Sequence, residues 1–196
     1  MALDLRSTMN WLLSIARIAG ASFPGASSLV QLNAEIESRA VQSRLENLED
    51  PISSLHPDVP EVSRRIYAAL KQSNHTGLDF DPEFYASYSR PLAAMEAAGL
   101  ITGKHTLDGR FACGMRVSSA SYIMYLCALF ESRKSMEGLL KLVDGCANGK
   151  WLDGELIAKQ LELPVPVVAA VFDIFVSKGY GLRSRENGAT RYMAKV

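Results

Sequence analysis

The sequence predicts an α+β fold, mostly helical, in which an N-terminal helical hairpin precedes two tandem copies of one helix–helix–hairpin module. Three observations carry this expectation. Residues 92–117 (LAAMEAAGLITGKHTLDGRFACGMRV) and 172–196 (FDIFVSKGYGLRSRENGATRYMAKV) follow one plan. Each has a helix end, a glycine (Gly99, Gly179), an apolar strand start, a polar turn closed by glycine (Gly109, Gly188) and a second strand. Residues 50–60, DPISSLHPDVP, carry three prolines and no apolar period, which marks a linker. Residues 29–48 space their apolar side chains at threes and fours, the period of a helix, after a shorter amphipathic stretch over 7–19.

The expected organisation is therefore a helical hairpin over 1–50, a Pro-rich linker over 51–60, a first module over 61–117, a connecting helix over 118–134 and a second module over 135–196. In the hairpin, residues 7–19 place Met9, Trp11, Leu12, Leu13, Ile15 and Ile18 on one broad face. Gly20 and the Phe23, Pro24, Gly25 turn end that helix, and Ser27 or Ser28 can cap the next. Its stripe is Leu29, Leu32, Ile36, Ala40, Val41, Leu45 and Leu48. Packing on the rest of the chain, helix pairing between two copies, or contact of residues 9–36 with a membrane surface would each cover such a stripe.

The first module opens with a helix from Glu61, with Val62, Ile66, Ala69 and Leu70 inward and Arg64, Arg65 and Lys71 outward. Residues 78–80 suit a short strand. Asp81 and Pro82 open a second helix as N-cap and first-turn proline. Ser89 is expected to cap a third, which Pro91 separates from the second and Gly99 stops. The connector, YIMYLCALF, suits a buried helix, with a central strand as the alternative because Tyr and Ile also favour sheet. The second module repeats the order. A helix from Met136 points Leu139, Leu140, Leu142 and Val143 inward, and a strand follows at 150–152. Asp153 then caps a helix, and a third begins at Pro166. Asn187 and Gly188 supply the hairpin turn.

This order resembles the winged helix-turn-helix family in both halves, over about 130 residues. The run Leu161, Leu163, Pro164, Val168, Phe172, Phe175, Gly179, Tyr180 resembles the helix-turn-helix core of bacterial regulators such as the MarR family. The resemblance implies a regulator whose third helix and wing meet DNA, or a protein-binding variant of the same module.

Charge narrows the choice only locally. Lys and Arg total 21, as do Asp and Glu, so no global field draws the chain to a polyanion. Basic residues gather late, with Lys178, Arg183, Arg185, Arg191 and Lys195 on and around the second hairpin. Wings touch phosphates, but basic side chains also protect an edge hairpin from aggregation. In the first module Arg64, Arg65, Ser87, Ser89 and Arg90 can donate to bases or phosphates. The candidate nucleic-acid contacts are these five with Arg183, Arg185 and Arg191. The second module's third helix differs. If Leu163, Val168, Phe172 and Phe175 form its core, the opposite face lacks Arg, Lys, Asn, Gln, Ser and Thr. Val165, Val167 and Ala170 on that face are the candidate contacts for a protein partner or a homodimer.

Catalysis has no motif to stand on. The chain lacks a Gly-rich phosphate loop, HExxH and GxSxG, so no enzyme activity and no cofactor are expected. Cys113, Cys127 and Cys146 lack CxxC spacing and read as small core residues of a reduced, cytoplasmic protein. His56, His75 and His105 have no ligand spacing, so no metal is expected. The apolar run 11–21 contains Arg17 and is too short to span a bilayer, so neither a signal peptide nor a transmembrane helix is expected. The membrane-surface reading of the N-terminal helices predicts co-sedimentation with liposomes that Trp11→Asp removes.

Overall fold

The computed structural model describes residues 52, 55–107, 111–131, 133–184 and 190–195. The expected N-terminal hairpin, both hairpin turns and Arg185 lie outside the described residues. Within them the chain runs α1 (Val59–Ser73), β1 (Gly77–Leu78), α2 (Pro82–Ser87), α3 (Ser89–Ala97), β2 (Ile101–His105) and β3 (Phe111–Val117). A connecting helix α4 (Ala120–Phe130) leads to α5 (Arg133–Asp144), β4 (Trp151–Asp153), α6 (Gly154–Leu161), α7 (Val165–Ser177), β5 (Gly181–Ser184) and β6 (Arg191–Ala194). The order helix, strand, helix, helix, strand, strand thus occurs twice. The two antiparallel sheets share one topology, β1-β3-β2 and β4-β6-β5.

The repeat extends to the helix ends. Gly99 and Gly179 take φ of 70° and 80°, where a Cβ would be strained. Gly99 N–H donates to Glu96 O and Leu100 N–H to Met95 O at 2.8 and 3.0 Å. Gly179 and Tyr180 repeat this with Val176 O and Phe175 O at 2.9 and 3.0 Å. Both third helices therefore close on a Schellman motif, which turns each chain into its hairpin.

Helix α1 starts two residues before Glu61. Pro60 lies in its first turn, where a missing N–H costs nothing. Val59 and Ile52 are buried in the common core, so the Pro-rich stretch is held against the fold at both points. The buried face is broader than expected, because Ser63 and Tyr67 join Val62, Ile66 and Leu70. The Ser63 hydroxyl hydrogen-bonds the Tyr122 hydroxyl at 2.8 Å, tying α1 to α4 inside the core.

Asp81 caps α2 as expected, its Oδ1 accepting from Phe84 N–H at 2.7 Å. Helix α2 stops at Ser87 because Pro91 cannot donate to the Ser87 carbonyl, and its ring would crowd that oxygen. Ser89 is not a cap, contrary to expectation. Tyr88 ends α2 and begins α3 with no side-chain cap. The helices are too close for a capping residue to extend between them.

Helix α4 settles the connector as helical. Ser119 caps it, accepting from Tyr122 N–H at 3.1 Å, and every residue from Ser121 to Cys127 is buried. Such all-round burial belongs to a helix packed on several sides. Two core expectations fail. Leu142 is exposed at the outer edge of α5, and Cys113 is exposed on β3. Asp153 caps α6, its Oδ1 accepting from Glu155 and Leu156 N–H at 3.0 and 3.2 Å.

Helix α7 has no cap of its own. Pro164 precedes it and offers no side-chain acceptor. The acceptor comes from the other module. Asn74 ends α1 in the left-handed conformation, at φ 55°, and its Oδ1 accepts from Val165 N–H at 3.2 Å. Asn74→Gly keeps the left-handed turn and removes this acceptor. It should lower unfolding stability by about 1 kcal/mol, read as a shift of the urea midpoint. An unchanged midpoint would show that the cap contributes nothing.

Candidate nucleic-acid interface

Five expected contact residues of the first module are exposed, and one contact links the two groups they form. Arg64 and Arg65 leave the outer face of α1 on consecutive positions and both bind Glu61. Arg64 Nη1 lies 2.5 Å from Glu61 Oε2, and Arg65 Nε lies 3.3 Å from Oε1. The Arg65 guanidinium also lies over the Tyr88 ring, 5.2 Å from its centroid. Tyr88 is the hinge residue between α2 and α3, and Ser87, Ser89 and Arg90 beside it are exposed. Tyr85, by contrast, turns inward. Its ring is buried against Phe84 and Phe111, and burial raises its pKa.

The basic residues of the second hairpin do not form one surface. Along β5 and β6, side chains alternate between faces. Arg183 pairs with Tyr192, which is buried, whereas Arg191 pairs with Ser184 and Asp153 and is exposed. Arg183 thus points into the protein and Arg191 away from it. Arg183 forms an ion pair with Asp173 on α7, and its Nη1 donates to Ala169 O at 3.2 Å. Its side chain is only 10% exposed, and its Nε is buried without a hydrogen-bond partner among the described residues. The expected phosphate contact by Arg183 is therefore corrected. Asp173 is the counter-charge that lets Arg183 be buried.

The expected docking face of α7 is also corrected. Val167 is 0% and Ala170 2% exposed, and Val165 is half-buried. Helix α7 packs against α4 as well as its own module, so the chain itself covers the apolar face. What remains open there is a cleft between the modules, about 760 Å³ in volume. Asn74, His75 and Arg116 line it from the first module, and Glu155, Asp173 and Arg183 from the second.

No family model, curated protein or solved structure matches the chain. The chemistry must be read from the side chains. Among the described residues no group of three His, Cys, Asp or Glu side chains is placed to hold a metal ion. Among them, too, no helix is long and apolar enough to cross a membrane. Burial, reinforced by the nearby Glu131 carboxylate, pushes the Cys127 thiol up to about 12, so it stays protonated and unreactive at neutral pH. Its Sγ donates to Met136 Sδ at 3.0 Å in the core.

Tyr88 is the residue that the sequence did not mark as an organiser. Its only signal was its place between a short helix and Pro91. Asn74 was equally hidden, because its acceptor serves a helix 91 residues away. Asp173→Ala would leave Arg183 buried with a charge and no counter-ion. A loss of about 1–3 kcal/mol is expected, measured by chemical denaturation. Wild-type stability in that variant would mean the pair contributes nothing to the fold.

Proposed function

We propose that the chain is a non-enzymatic regulator built from two winged-helix modules, and that its first module holds duplex DNA by the phosphate backbone. The observation that carries this reading is the placement of Arg65 over Tyr88. It brings Arg65 of α1 to the residue that lies between Ser87 and Ser89 in the chain, next to Arg90, all three of them exposed. In a winged-helix module this junction leads into the helix that approaches the duplex.

The electrostatics suit a reversible phosphate contact. Glu61 neutralises one of three positive charges and lies 41% exposed, so its ion pairs are worth little in water. An incoming phosphate can displace it and accept from both arginines. Arginine's planar fork suits such bidentate contacts, and the serine hydroxyls can add donors. Base reading is not part of the proposal, because α3 is short and offers few donors beyond its first turn.

The second module supports this reading by what it cannot do. Its third helix is enclosed by α4 and by its own hairpin, so that helix is not open to a duplex. The three cysteines are free, which suits the reducing cytoplasm where such a regulator would act.

A mobility-shift titration on duplex DNA tests the proposal. Binding should weaken steeply with salt. Replacing Arg64, Arg65 and Arg90 by alanine should lower the slope of log K against log salt by about 2.7, from about 0.9 per phosphate contact. No shift at low salt, or a triple variant that binds like wild type, would refute the assignment.

A further inference from the structure

The outer face of the second sheet presents an arrangement that the backbone-contact reading does not use. The inner face is spent on α7. Tyr192 stacks on Phe172 with ring centroids 5.3 Å apart, and Arg183 reaches Ala169 and Asp173. The ladder places Trp151, Met193 and Leu182 side by side across β4, β6 and β5 on the opposite face. Trp151 and Leu182 are each 47% exposed, and Met193 between them is half-buried.

Positive charge brackets this apolar row. Arg191 and Met193 alternate outward along the central strand, and Lys195, one residue past its end, extends the alternation because its N–H still donates to Tyr180 O at 3.0 Å. That puts a cation on either side of the row, about 7 Å away along the strand. Lys150 is exposed beside Trp151. Among the described residues none of these three cations has an ion-pair partner. Asp153, opposite Arg191 in the register, is a carboxylate among the described residues of this face, and its Oδ1 accepts two N–H groups at the start of α6. The surface therefore combines an open indole ring, aliphatic neighbours and cations that have no ion-pair partner among the described residues.

We propose that this face binds single-stranded nucleic acid, with a base stacked on Trp151 and flanking phosphates held by Arg191 and Lys195. An exposed ring offers a base a π-face that needs no particular hydrogen-bond pattern, while cations at both ends follow the backbone. The charge sign selects the partner. An uncharged apolar partner would leave Arg191 and Lys195 desolvated without counter-ions, whereas a polyanion supplies them along its length. A duplex has no unstacked base to offer. The inference is independent of the duplex contact proposed for α1 and α3.

Tryptophan fluorescence provides the test. The sequence has two tryptophans, Trp11 and Trp151. In full-length Trp11→Phe protein, titration with a short oligothymidylate should quench Trp151 to saturation, and the matching duplex should not. Trp151→Ala should weaken single-strand binding by about 5- to 100-fold, and Trp151→Phe should retain most of it. Arg191→Ala with Lys195→Ala should lower the salt slope by about 1.4, from about 0.7 per single-strand phosphate. The Arg64, Arg65 and Arg90 triple variant should leave the quench intact. Absence of quenching, or unchanged affinity in Trp151→Ala, would overturn the inference. So would a fall in solution mass caused by Trp151→Ala, because the face would then be a protein interface between copies. Circular dichroism of each variant establishes that the fold is retained.

Discussion

The enclosure of α7 between its own module and α4 is the contact on which the arrangement of the molecule depends. Pro166, Val167, Val168, Ala170, Val171, Phe172, Ile174 and Phe175 are all buried, so the helix has no open apolar stripe. Burying one Val or Phe side chain stabilises by about 1.5–3 kcal/mol. Several such residues on the α4 side amount to a sizeable share of a typical domain stability of about 5–15 kcal/mol. Moving the modules apart would expose this face, which makes them one packed body. The Asn74 cap and the Ser63–Tyr122 hydrogen bond add direction to a contact that burial alone would leave loosely oriented.

From that enclosure follows the unequal fate of two similar modules. Both end their third helix with the same glycine motif and lead into sheets of the same order. In the second, the helix is a core element, and its hairpin turns one arginine inward to complete the helix surface. In the first, α3 keeps an exposed first turn, and Tyr88 draws an α1 arginine to it. The repeat gives two copies of a framework, and packing leaves different surfaces open on each. The first offers hydroxyls and guanidinium groups at a helix junction. The second offers a sheet face with an indole ring between cations.

Much of the framework was legible before any coordinates. The stops at Gly99 and Gly179, the caps at Asp81 and Asp153, and the break imposed by Pro91 are local events, set by residues within a few positions of one another. The helix of the connector was legible in composition but not in kind, because a run such as YIMYLCALF suits a buried helix or a buried strand equally. The candidate site was legible in part. Arg64, Arg65, Ser87, Ser89 and Arg90 are exposed, and the contact of Arg65 with Tyr88 is new. Val167, Ala170 and Arg183 were misjudged for one shared reason. Each was read on its own element, and each is covered by another.

The sequence by itself determined the order of elements, their ends and the existence of a repeat. Backbone preference, capping and apolar period act over a few residues and leave a direct trace in the chain. Only the tertiary structure decided which faces remain open. An apolar helix face looks the same in sequence whether a partner or the chain's own α4 covers it, and an arginine looks the same whether it meets solvent or Asp173. Those outcomes depend on contacts between distant residues, whose free energy is set by burial and charge pairing in three dimensions. The side chains left exposed after that packing are the ones available for function.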